Sequence, residues 1–353
     1  MRAERREGNA RTKFATRGFA STEIVLVLVG VAGIVSVVGA AANGSWGRFG
    51  AAATPEPAAP AYALAVSDDG RRIVAGVHDR HVAVWDALNG ECLASLQGHG
   101  AALTAVAISA DGSRVFTACA YGRLCAWDLS SAASDPICIQ AATTAIRTLA
   151  LSPDGKLIAT GTCEGAIDLR ETSGLSRVRP CGTPGPGVRC VAFSPDGRLL
   201  TSAACDGSVS VWDVAQGSRL LRLAAHPSEW IEQVAFSPNG NEVISADQAG
   251  LVRIWSVAGG DEIRQFSHGG PLCGLSISPD GTQIVTSGWD ARLRVWDVRL
   301  GEAAIDLLGH AGAVRRVQFS RDNQRVFSAG WDGTVREWNL ARRAEVRQFE
   351  PTR

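Results

Sequence analysis

From Tyr62 to Phe349 the chain alternates apolar and polar positions in short runs, and the runs come in groups of four separated by turn residues. Alternation over five or six residues, rich in β-branched side chains, predicts strands. In one group the four runs are "VRCVAFS" (188–194), "RLLTSAA", "SVSVWDV" and "LLRLAAH". The first run of every group ends in a serine: Ser67, Ser109, Ser152, Ser194, Ser237, Ser278 and Ser320. A tight turn follows, "SPDG" at 152, 194 and 278, with variants "SDDG", "SADG", "SPNG" and "SRDN". Proline presets φ in such a turn, and glycine or asparagine takes the left-handed conformation after it.

The serines recur every 41 to 43 residues, and eighteen residues after each stand Trp85, Trp127, Arg170, Trp212, Trp255, Trp296 and Trp338. Seven units therefore share one register. That period is the repeat length of propeller blades, not of helical solenoids. Two places before each serine the residue is Ala65, Ala107, Ala150, Ala192, Ala235, Ser276 or Gln318. Innermost strands crowded around one axis need small side chains there. A four-stranded antiparallel sheet cannot cover both of its faces, so each unit needs neighbours and the ring must close.

These units resemble WD40 repeats over essentially the whole body, residues 62–349. The resemblance implies an all-β, seven-bladed propeller. It also implies structural tetrads that join a histidine, a Ser/Thr, an Asp and the Trp of each unit. Unit six carries His268, Thr286, Asp290 and Trp296, and unit seven carries His310, Ser328, Asp332 and Trp338. Such a chain of hydrogen bonds satisfies a buried indole N–H and imidazole. Unit two has His99, Thr117 and Trp127, but Tyr121 where Asp is expected; unit four lacks the histidine. Unit three has Arg170-Glu171 in place of Trp-Asp, followed by "CGTPGPG", so blades three and four are expected to be the least regular.

Units six and seven each hold a second tryptophan. Trp289 and Trp331 directly precede the turn Asp, which puts them on the rim of the top face, and Trp230 lies where the chain enters blade five. With Tyr121 and His78 further round the rim, they form the candidate patch for a protein or peptide partner, since tryptophan is the commonest energetic anchor of interfaces. The bland alternative is that these rings merely shield the tetrads.

Lysine plus arginine balances aspartate plus glutamate at 35 each, and the body from Tyr62 onward is slightly acidic. A phosphate-binding surface for nucleic acid is therefore not expected. The nine cysteines form no C-x-x-C and no zinc-like cluster, and read as small buried hydrophobes, with a disulfide open for some pairs. His78 and His81 flank Asp79 and Arg80 in a turn, where a solvated turn is the simpler reading than a metal site. No P-loop, G-x-S-x-G or dinucleotide fingerprint occurs, so neither a cofactor nor a metal is expected. An enzyme, a propeller hydrolase or lyase, ranks below a protein-binding scaffold. Three or more ionisable groups converging on the axis would favour the enzyme.

Ahead of the repeats, residues 1–23 are basic, 24–42 are nineteen residues without charge, and 43–61 are a Gly/Ala/Pro linker. The uncharged run is just long enough to cross a bilayer as a helix. Basic residues before it predict a cytoplasmic amino terminus and a propeller outside the cytoplasm. A signal anchor and a cleaved signal peptide both fit. So does a third reading: "RGFASTEIVLVLVG" (17–30) resembles a type IV prepilin leader, with Gly18 before the cut, Phe19 as the new amino terminus and Glu23 in the fifth place after it. Ala20-Ser21-Thr22 depart from that pattern, which is usually apolar there. This reading implies a filament or secretion-system component as the alternative function.

Overall fold

The computed structural model describes residues 63–77, 80–131, 135–182, 185–223, 226 and 230–350. The expected membrane run 24–42, the leader residues Gly18, Phe19 and Glu23, and His78 lie outside the described residues. Among the described residues no helix is long and apolar enough to cross a membrane.

Twenty-eight strands form seven four-stranded antiparallel sheets, each made of four strands consecutive in the chain. The innermost strands are β1 (Ala63–Val66), β5 (Leu103–Ile108), β9 (Ile146–Leu151), β13 (Val188–Phe193), β17 (Ile231–Phe236), β21 (Leu272–Ile277) and β25 (Val314–Phe319). Each touches the next, and β25 touches β1, so the sheets are blades of one closed ring. In an antiparallel meander the turn between the second and third strands lies at the same end as the link to the next blade. That end is the top face.

Seven hydrophobic clusters hold the ring, one between each pair of neighbouring blades. No strand is exchanged to close it among the described residues. At the seam between blades seven and one, Phe327 and Phe349 pack with Ile73 and Trp85. Gln318 Nε2 and Oε1 bracket the Val66 backbone, the amide donating to Oε1 at 3.1 Å. Blade one has Ala75 where other blades have the tetrad hydroxyl, and its Trp85 indole instead donates to the Glu350 carbonyl at 3.1 Å.

Blade three, expected to be irregular, has a short outer strand, and so does blade two. Their outer strands, β8 (Ile137–Gln140) and β12 (Arg177–Pro180), have four residues each. Arg170 fills the missing tryptophan's place as a buried polar tie, donating to the carbonyls of Leu175 (3.1 Å) and Ala141 (2.9 Å). In blade two, Cys125 and Cys138 sit opposite each other on neighbouring strands and form a disulfide.

Candidate functional site

The tetrads fix the top face. In blade seven Trp338 Nε1 donates to Ser328 Oγ (2.8 Å), which pairs with His310 Nε2 (2.7 Å), while His310 Nδ1 meets Asp332 Oδ2 (2.9 Å). Hydrogen bonds from His310, the Ala311 amide and Thr334 outweigh the burial that would raise Asp332, and hold its carboxyl far below the usual range. Gly330 is needed here, because a Cβ would lie 2.6 Å from His310 Nδ1 and 2.7 Å from Asp332 Oδ1. Hence glycine precedes Trp331-Asp332.

Blade six varies the theme. Trp296 Nε1 and His268 Nδ1 both meet Thr286 Oγ1, at 2.7 and 2.8 Å, and Arg294 reaches both His268 Nε2 (2.6 Å) and Asp290 (2.8 Å). Burial and Arg294 lower the His268 pKa, which keeps the ring neutral and able to accept from the guanidinium. Blade five holds a third complete tetrad that the sequence register misses. His226 bridges Ser245 (2.8 Å) and Asp247 (2.7 Å), and Trp255 donates to Ser245 (2.9 Å). Asp247 stands eight residues before its tryptophan, not six as in the other two. In blade two, where Tyr121 replaces Asp, His99 Nδ1 is buried without a partner, and burial with nearby Arg123 pulls the imidazole down to about 4.

On this frame Trp289 and Trp331 meet edge to face, ring centroids 4.7 Å apart. Trp289 is 45% exposed and Trp230 47%, as a contact patch requires. Trp331 departs from the expectation: it is half-buried, and its Nε1 is buried without a partner. It is the floor on which Trp289 stands. Tyr121, 70% exposed on blade two, has no ring contact with the tryptophans, so the structure brings together only part of the expected set.

Sequence reasoning also missed a recurring irregularity at the start of the innermost strands, which brings Thr104 and Arg147 to the upper mouth of the axial channel. In six blades a β-bulge falls five residues before the register serine, at Thr104, Arg147, Arg189, Glu232, Cys273 and Arg315. A bulge re-aims the side chain it displaces. Arg147 and Arg316 line an upper cavity of about 400 Å³ beside the expected Ala192 and Ala235, while Ala65, Ala107 and Ala150 line a lower one, so the axis is not lined by small residues throughout. Arg189 forms an ion pair with Glu232 and lies 5.4 Å over Trp230, while Arg315 lies 5.9 Å over Trp331. Arg315, next in the chain to the mouth residue Arg316, thus links the mouth to the aromatic patch.

Its chemistry suits binding better than catalysis. Burial raises the Cys190 and Cys273 thiols, so neither is poised as a nucleophile. The one carboxylate of the bulged ring, Glu232, is held by Arg189. Arginine itself does not exchange protons near neutral pH.

The family model "WD domain, G-beta repeat" matches this chain seven times, at residues 56–86, 90–128, 136–167, 178–213, 217–256, 260–297 and 302–339. The third match stops short of Arg170, where the tryptophan is lost. Telomerase protein component 1 of Mus musculus is 25% identical over 156 residues, 43% of this chain and 6% of that protein. Protein groucho of Drosophila melanogaster is 40% identical over 73 residues, 20% of this chain and 10% of that protein. The chain therefore spans a small part of the length of either relative.

Proposed function

The chain belongs to the WD40 family of G-beta repeat proteins, and from that premise we propose that it is a non-enzymatic scaffold whose top face captures a protein or peptide partner. The carrying observation is Trp289, nearly half exposed and seated edge-on against Trp331. A large aromatic held rigid and still wet is what a hot spot looks like before its partner arrives. Trp230, with Arg189 beneath it, extends the patch to blade five. Replacing Trp289 by alanine should abolish capture of a partner recovered from cell extract and shift the melting temperature by less than about 3 °C, as for a residue outside the core. Unchanged capture with a large loss of stability would instead assign Trp289 to packing.

The same reading places the propeller outside the cytoplasm, tethered by residues 24–42. An uncharged run after a basic stretch supports it, and the Cys125–Cys138 disulfide fits an oxidising compartment. Protease added to intact cells should digest the propeller of the full-length chain; full protection would refute the topology.

A further inference from the structure

We propose that the partner segment captured by the top face is acidic, with neighbouring Asp or Glu side chains that enter the axial mouth while an apolar residue packs on Trp289; the inference rests on the scaffold reading above. Arg147 and Arg316 line this mouth, Arg315, next to Arg316 in the chain, lies over Trp331, and Arg189 lies over Trp230 and pairs with Glu232. Among the described residues only Arg189 of the four has an ion pair. Arg316 spends its hydrogen bonds on the backbone carbonyls of Cys273 (3.3 Å) and Arg315 (3.0 Å), and Arg315 reaches only the Cys273 sulfur, at 3.6 Å. Arg315 Nε is buried with no partner at all.

Burying like charges together is costly unless something neutralises them. Here the family's ring geometry does not demand the arginines, since Thr104 and Cys273 fill the same bulged position in other blades. The surplus positive charge sits in a body that is otherwise slightly acidic, so it is local and marks one spot. A general polyanion such as nucleic acid would need a wide basic face. A short acidic segment needs only this mouth. Guanidiniums bind carboxylates in paired hydrogen bonds and keep their charge in a partly dry site.

The test is selection of a random twelve-residue phage-displayed library on the immobilised full-length chain, with affinities of recovered peptides then measured. Recovered peptides should be enriched in adjacent Asp/Glu beside an apolar residue, and should bind more weakly as salt rises. Arg147→Gln should weaken them about tenfold, the worth of one charge-assisted contact. Glu232→Gln should tighten them, since it frees Arg189; a merely structural role for the cluster predicts no gain. Melting temperatures of both variants report whether they fold. Peptides that depend on Trp289 but show no acidic bias, or an equal response to DNA oligonucleotides, would overturn this inference and leave the scaffold reading standing. Peptides indifferent to Trp289→Ala, or no peptides at all, would overturn both.

Discussion

Replacing Ser328 by alanine isolates what one tetrad contributes. The hydroxyl accepts from the Trp338 indole at 2.8 Å and donates toward His310 at 2.7 Å, and both Ser328 and Trp338 are fully buried. His310 Nδ1 is committed to Asp332, so Nε2 must be the ring's acceptor. Alanine therefore strands one donor and one acceptor away from water. Each stranded group costs roughly 1–3 kcal/mol, so about 2–6 kcal/mol should be lost in total. For a body of this size that corresponds to a fall of about 3–10 °C in melting temperature. Urea unfolding followed by tryptophan fluorescence should show the midpoint falling at unchanged slope. Ser328→Thr is the control and should be close to wild type, because Thr117 and Thr286 occupy the equivalent place in blades two and six. Blade one already carries alanine there, but the Glu350 carbonyl takes its indole; no such substitute acceptor is bonded to Trp338. A loss below about 0.5 kcal/mol for Ser328→Ala would refute the view that these polar chains are structural.

Two more outcomes follow from the same structure. His99 is held near 4, below its ordinary 6.5, so between those pH values the unfolded chain takes up a proton that the folded chain refuses. Its contribution is thus complete above pH 6.5 and is lost as pH falls toward 4, by up to about 3 kcal/mol; His99→Gln should flatten that limb of the stability profile, and an unchanged slope would count against it. The Cys125–Cys138 bridge joins residues 13 apart, worth about 3 kcal/mol if chain entropy dominates. A reducing agent should lower the melting temperature of the wild type but not of Cys138→Ser, and nine free thiols titrated in denaturant without reductant would exclude the bridge.

The seven-bladed ring was legible because the serine and tryptophan registers repeat without insertion, and burial of the indole forces every blade into one pattern. Blade five's tetrad was not, since Asp247 sits two places early, at the end of its strand, and only the hydrogen bond to His226 reveals the equivalence. The arginine mouth was hidden for a different reason. Alternation assigns residues to faces by parity, and a bulge breaks parity: Arg147, Arg189 and Arg315 look like ordinary strand positions until the ladder slips by one. The residue five places before the register serine, polar in five of these six blades, was the available signal. Trp331, placed on the rim as part of the patch, is half-buried because it packs against Trp289 across the blade gap, and contacts between blades leave no trace in a single unit's pattern.

The seam between blades seven and one sets an order of events during synthesis. Blade one presents Ile73, Ala75 and Trp85 on the flank that blade seven covers, and these residues leave the ribosome some 250 residues before Gln318 and Phe349 do. Throughout that interval the growing chain is an open arc with a sticky apolar wall at one end. At typical rates of about 5–20 residues per second the wall stays bare for tens of seconds. Among the described residues each sheet is built from its own neighbours in sequence, so no strand of one blade latches onto another to shorten the wait. A chaperone that shields the first blade until the seventh is made would therefore govern the yield of closed rings.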